Sequence, residues 1–183
     1  MITAWSRIEH WLAVNAPTLA NDLLPGATDA DFKAAEKALG KTLPDEFKAL
    51  YRAHNGQRGM ADGVFAEWRF LPLKTSLSKW TMMKELTDEG TFKENTVSVK
   101  GPIRATWWNV QWVPFGSNGS GNFLVVDLDP PKHGSVGQVV TYLHDADKRE
   151  CVAAGIGAWL ESLAADLEEG KLEYRDEELV RVR

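Results

Sequence analysis

The sequence contains little cysteine, no long apolar run and no cluster of basic residues. Its single cysteine, Cys151, excludes an internal disulfide framework and a cysteine-rich zinc site. No apolar stretch approaches the ~20 residues of a membrane-spanning helix. The first ten residues lack the basic and apolar regions of a secretory signal. These absences predict a cytoplasmic chain without a membrane partner.

The charge balance argues against nucleic acid as a partner. The chain has 21 Lys and Arg against 26 Asp and Glu, which leaves a formal net charge of −5. Nucleic acid requires a basic surface because phosphate contacts supply most of its binding affinity. The sequence also contains no recognised spacing of metal ligands and no cofactor motif, so we expect no cofactor.

The size and composition are those of one globular domain. A chain of 183 residues, 44% hydrophobic and 26% charged, can bury roughly 70% of the surface that its unfolded state exposes. We divide it into a helix and irregular segment at 1–27, an α+β domain at 28–170 with an insertion at about 74–103, and a charged tail at 171–183.

Apolar spacing and capping residues predict five helices. Ile2, Trp5, Ile8 and Leu12 recur at helical intervals, and this helix starts near Thr3 and ends before Pro17. The segment that follows is expected to be irregular. The other predicted helices run from Thr28 to Gly40, from Pro44 to Asn55-Gly56, from Thr75 to Leu86 and from Ile156 to Glu169.

Short alternating or apolar runs between turn signals predict strands. Three of them follow one another closely in the second half, which indicates an antiparallel meander. The order of helices, then a sheet, then a helix is typical of an α+β domain. Residues 87–101 are polar and are expected to be poorly ordered. The predicted strands are Glu67 to Leu73, Trp107 to Phe115, Asn122 to Leu128 and Gln138 to His144.

No residue pattern defines a reaction class. Gly116, Gly119 and Gly121 have the spacing of a phosphate loop in reverse and lead into a strand, so a tight hairpin turn is the better interpretation. Asp127 and Asp129, with His133 or His144, are the candidate residues for a metal or small-ligand site. Cys151 is expected to be a small core residue. The chain is therefore predicted not to be an enzyme.

Two features favour binding to a protein. Eight tryptophans are many for this length, and Trp107, Trp108 and Trp112 are our candidates for exposed anchors or, alternatively, for a sugar-binding cleft. The other feature is an acidic run, either a solvated helix face and tail or a surface that steers a basic partner. From this run we select Asp166, Glu168 and Glu169 as candidate partner-binding residues. The run contains Glu161, Asp166, Glu168, Glu169, Glu173, Asp176, Glu177 and Glu178.

A set of motifs in a fixed order is similar to one known family. Leu39 to Tyr51 reads LGKTLPDEFKALY and is followed by His54-Asn55-Gly56. Downstream come Trp112 to Gly116, Gly119 to Asn122, Asp127 to Pro130, Gly134 to Val139, and Ile156 to Leu160. Over roughly residues 28–165 the chain resembles the SUKH superfamily, which includes a fungal regulator of cell-wall synthesis and many bacterial immunity proteins.

The resemblance implies a fold and a function. The family fold is α+β, with helices flanking a mainly antiparallel, strongly curved sheet. Bacterial members neutralise secreted toxins by binding them and have no catalytic machinery. We therefore predict an immunity protein, a monomer or weak dimer, that occludes a cognate toxin, and a nuclease toxin would suit the acidic run. The alternatives are a housekeeping interaction or scaffold protein of the same fold and, third, a small-ligand or sugar-binding domain.

Overall fold

The computed structural model describes residues 3–182 and contains six helices and eight strands in that range. The predicted contribution of Ile2 to the first helix lies outside the described residues. In chain order the elements are α1 Ala4–Asn15, α2 Pro17–Asp22, α3 Asp29–Leu39, α4 Asp45–Ala53, β1 Arg69–Phe70, α5 Leu73–Asp88, β2 Ser98–Lys100, β3 Trp112–Ser117, β4 Phe123–Asp127, β5 Gln138–Tyr142, β6 Lys148–Ala153, α6 Ile156–Glu168, β7 Leu172–Arg175 and β8 Glu178–Arg181.

Local capping chemistry sets the predicted helix boundaries. The Thr28 hydroxyl accepts a hydrogen bond from the Asp31 backbone N–H, and the Asp31 carboxylate accepts one from the Thr28 N–H. This reciprocal pair forms a capping box at the start of α3. Gly40 ends the helix in the left-handed conformation, at φ +65°. The expectation of an irregular segment after Pro17 was wrong for its first part, because Pro17 begins the short helix α2, whereas residues 24–27 have no regular structure.

The main sheet is mainly antiparallel, as predicted, and has six strands in the order β1-β3-β4-β5-β6-β2. Strands β3 to β6 form the antiparallel meander. Strand β2 pairs in parallel with β6 at one edge. Register shifts interrupt the ladder between Pro114 and Gly116 and between Val139 and Val140. Such irregularities bend a strand and increase its twist.

Two segments have more structure than the sequence predicted. The polar stretch 87–101 includes the end of α5 and the edge strand β2. The charged tail forms the β7–β8 hairpin, which buries Leu172 and Leu179 in the core. Strand β6, at Lys148–Ala153, was also missed because its residues are largely polar. None of the described helices combines the length and the apolar character needed to span a bilayer.

Each face of the main sheet packs against its own hydrophobic cluster. Val113, Leu124 and Val126 belong to the first cluster, together with residues of α1, α3, α4 and α6. Their neighbours along the strands, including Trp112 and Val125, belong to the second cluster. Because successive side chains of a strand point to opposite faces, this alternation places the two clusters on opposite sides of the sheet. The segment from the end of α5 to residue 111 covers the second face.

Candidate functional site

A solvent-open cleft lies where the second half of α5 and the following loop meet the second face of the sheet. Its volume is about 350 Å³, within the range of protein ligand sites. Phe123 and Tyr142 are buried at its base, and Met82 is 40% exposed. The lining residues are Lys79, Met82, Met83, Leu86, Thr91, Phe92, Asn95, Trp107, Ser117, Gly119, Gly121, Phe123, Tyr142 and His144.

The wall formed by Trp107 is held in place by a buried arginine. Arg149 is only 1% exposed, and its guanidinium lies 4.7 Å from the Trp107 ring centre and 4.4 Å from that of Tyr142. It also donates two hydrogen bonds, of 3.2 and 3.1 Å, to the Trp107 carbonyl. Burial lowers the pKa of Arg149. These contacts fix both rings, so the cleft wall is preformed.

The polar side of the cleft comes from the β3–β4 turn and the end of β5. His144 follows β5, and its Nδ1 lies 2.9 Å from the Asn122 side-chain oxygen. Gly121 has φ +92°, and a Cβ there would lie 3.2 Å from the His144 ring. The backbone of this turn therefore approaches the imidazole closely. The interpretation of the glycine-rich segment as a hairpin turn is confirmed.

The three predicted tryptophan anchors have different environments. Trp107 is partly exposed and lines the cleft. Trp108 and Trp112 are 4% and 0% exposed and pack edge to face at 5.7 Å in the second cluster. The expectation that Trp108 and Trp112 are surface anchors was wrong, because Trp108 lies in the segment that covers the second sheet face and packs there onto Trp112 of β3. A sugar-binding cleft made by all three rings is excluded for the same reason.

Ion pairs within the chain partly neutralise the acidic run. Arg7 of α1 contacts Glu161 at 2.6 Å and also pairs with Glu168 at 2.5 Å. Lys171 contacts both Glu169 and Asp166. Asp166 is largely shielded, with its side chain 16% exposed, and Arg181 contacts it at 3.0 Å. The predicted trio Asp166, Glu168 and Glu169 therefore presents less negative charge to a partner than the sequence suggests.

We expect Arg7→Gln to reduce stability at neutral pH but much less in acid. Hydrogen bonds from Arg7 lower the pKa of Glu168 below its ordinary value of 4.5. A carboxyl group with a lowered folded-state pKa stabilises the fold above its unfolded pKa, and this contribution is lost as the pH falls through the folded pKa. Urea denaturation between neutral pH and about pH 3 should show that the difference in free energy of unfolding between wild type and variant closes below pH 4.5.

Lys33→Gln is the matched control for this prediction. It removes an exposed cation of α3 that makes no salt bridge among the described residues. Its effect on the free energy of unfolding should be small and should stay the same as the pH falls through the range in which the Arg7 partners are protonated. An Arg7→Gln deficit of constant size down to about pH 3 would contradict the ion-pair assignment, since the carboxylates of the unfolded chain are then mostly protonated.

The structure separates the residues considered for a metal or small-ligand site. Asp127 pairs with Gln138 at one end of the β4–β5 hairpin, whereas His144 follows the opposite end. The Asp127 carboxylate accepts hydrogen bonds from the Asp129 N–H and the Gln138 amide, and burial raises its pKa. Asp129 binds Arg104. Among residues 3–182 no group of three or more His, Cys, Asp or Glu side chains is arranged to hold a metal.

Sequence reasoning missed most of the cleft. Lys79, Met82 and Leu86 lie on α5, and Phe92 lies in the stretch predicted to be poorly ordered. The available signal was the apolar pair Met82 and Leu86, four residues apart on a helix that was otherwise amphipathic. A second signal was Phe92, an isolated aromatic residue within a polar stretch, which indicates a local packing contact.

The fold is thus an α+β domain whose insertion closes one side of the sheet and forms a cleft. A family model described as SMI1/KNR4 (SUKH-1) matches residues 26–162. The chain belongs to this family, as the sequence motifs predicted. Its matched range contains the cleft and all strands of the main sheet.

Several curated proteins are similar to this chain. The glucan synthesis regulatory protein of Neurospora crassa is 25% identical over 92% of this chain and 38% of its own length. The cell wall biosynthesis/cell cycle regulator smi1 of Schizosaccharomyces pombe is 26% identical over 92% of this chain and 36% of its own. Human F-box only protein 3 is 34% identical over a third of this chain. The chain therefore spans a little over a third of these fungal proteins.

Proposed function

We propose that this protein is a non-catalytic interaction module that regulates a partner protein by binding it in the α5–sheet cleft. The main support for this proposal is the cleft itself, which is preformed, open to solvent and mainly apolar. Methionine and aromatic side chains are enriched in protein interfaces because they bury much apolar surface. Met82 and Trp107 supply such surface here.

The relatives support a regulatory module of this kind. The names of the fungal proteins describe regulators of glucan synthesis and of cell-wall biosynthesis. Two of the candidate residues for a metal or small-ligand site have structural contacts instead: Asp127 stabilises the end of a hairpin, and Asp129 binds Arg104. A housekeeping interaction function therefore fits better than the toxin immunity that the sequence first suggested.

Toxin neutralisation is the second candidate. It is favoured by the exposed acidic turn of the β7–β8 hairpin, Asp176 to Glu178, which extends from the partly neutralised acidic run. An acidic surface accelerates encounter with a basic partner, such as the substrate groove of a nuclease toxin. In this case the partner would be encoded beside the gene for this chain.

Site-specific photo-crosslinking tests the proposal. We expect p-benzoylphenylalanine at Met82 to capture one stoichiometric protein in cells of the native host. The same probe at Val136, which is 66% exposed in the β4–β5 connection, should not capture it. Equal capture from both positions, or none from Met82, would refute the cleft as the binding site. A captured toxin encoded next door would favour the second candidate, and a host regulatory protein the first.

A further inference from the structure

The charge of the cleft differs from that of the whole protein. The chain has a formal net charge of −5, yet none of the described residues that line the cleft is Asp or Glu. Lys79 lines it and makes no salt bridge among the described residues. His144 lies opposite, with Asp145 at 3.9 Å from its ring nitrogen. Among the described residues, the cleft lining thus carries the Lys79 cation and no carboxylate, with Asp145 just outside it.

A buried positive charge lies directly behind this surface. The Arg149 guanidinium stacks between Trp107 and Tyr142, and all its described hydrogen bonds go to carbonyl oxygens. Those bonds satisfy its donors with neutral groups, and among the described residues no carboxylate forms a salt bridge with it, although Asp147 acts on it from a longer distance. Because a poorly solvated charge acts over a longer distance than an exposed one, Arg149 adds positive potential behind the two rings.

We propose that the cleft selects a segment of a partner protein in which an apolar side chain is flanked by Asp or Glu. The apolar side chain would enter between Met82, Phe92 and Trp107, and the neighbouring carboxylates would approach Lys79 and His144. This inference rests on the proposed function and specifies the partner's chemistry. The Lys79 ammonium beside an apolar pocket discriminates by charge, because a cationic segment would meet a like charge there.

Methionine-methyl NMR of the full chain with two matched peptides tests this selection. One probe is the capped hexapeptide Asp-Glu-Trp-Leu-Asp-Glu, and the other has Lys in place of each acidic residue. The chain has four methionines, so the methyl signals of Met82 and Met83 report on the cleft. Met60, which is 88% exposed in a loop that does not line the cleft, is the internal reference. We expect the acidic peptide to shift Met82 and Met83 but not Met60.

Charge reversal at one position provides the decisive comparison. Lys79→Glu should weaken binding of the acidic peptide by roughly tenfold and strengthen binding of the lysine peptide. Misfolding would not produce such an exchange of preference. Equal binding of both peptides, or no shift with either, would overturn the inference. Crosslinking from Met82 would still succeed in that event. Failure of the proposed selection for acidic segments is therefore distinguishable from failure of the proposed function.

Discussion

Arg149→Met should lower the free energy of unfolding by about 3 kcal/mol or more. Loss of the guanidinium leaves carbonyl oxygens of Trp107, Leu143, Ala146 and Lys148 without this donor. An unsatisfied buried polar group costs about 1–3 kcal/mol, and the stacking on two rings is lost as well. Urea denaturation of wild type and variant measures the difference.

Two variants separate the possible causes of that loss. Arg149→Lys keeps the charge but not the planar set of five donors, so it should give an intermediate destabilisation. Arg175→Met removes an arginine whose side chain is 62% exposed and, among residues 3–182, is paired with Glu173 alone, and it should change stability by no more than about 0.5 kcal/mol. If Arg149→Met were as mild as Arg175→Met, the buried hydrogen bonds of Arg149 would not stabilise the fold.

Gly56→Ala should be comparably destabilising, by about 3 kcal/mol. Gly56 has φ +80°, and an added Cβ would lie 2.3 Å from the Pro72 nitrogen and 2.5 Å from the Leu71 carbonyl carbon. The left-handed conformation costs an alanine about 1–2 kcal/mol, and a clash with backbone at the start of α5 adds to it because no side chain can rotate away. Thermal or urea unfolding measures the sum.

Gly40→Ala is the control that isolates the backbone-conformation part of the destabilisation expected for Gly56→Ala. Gly40 ends α3 at φ +65°, and nothing lies within 4 Å of the position of an added Cβ. We therefore expect a loss of about 1 kcal/mol, from backbone conformation alone. Equal losses for the two variants would mean that the contact between Gly56 and the α5 start is not tight. This contact aligns α5, which forms one wall of the cleft.

Local sequence signals predicted the parts of the fold that depend on neighbouring residues. Thr28 and Asp31 are three residues apart and cap α3 by themselves. The apolar run from Phe123 to Val126 is buried throughout, as expected for a strand covered on both faces. Asn55 and Gly56 were predicted to end α4. The Asn55 side-chain oxygen also accepts a hydrogen bond from the Leu73 N–H, which joins α4 to α5.

The main failures concern polar residues whose partners are distant in the sequence. Strand β6 begins Lys148, Arg149, Glu150 and lacks an apolar pattern. Arginine is rarely buried, so nothing local predicted that Arg149 would be. Its burial depends on carbonyl groups and aromatic rings that only the folded chain brings together. The acidic run was likewise expected to be more strongly charged, because Arg7 is 154 residues from Glu161.

The sequence by itself determined the α+β class, most helix boundaries, the central strands and the family, because caps, periodicity and ordered motifs are local properties of the chain. Only the tertiary structure decided which tryptophans are exposed, how far the acidic charge is neutralised and where the cleft lies. Each of these depends on contacts between segments far apart in sequence. Trp108 packs onto Trp112 in the second cluster, whereas Trp107 lines the cleft, because the path of the segment over the sheet sets which rings remain in contact with water.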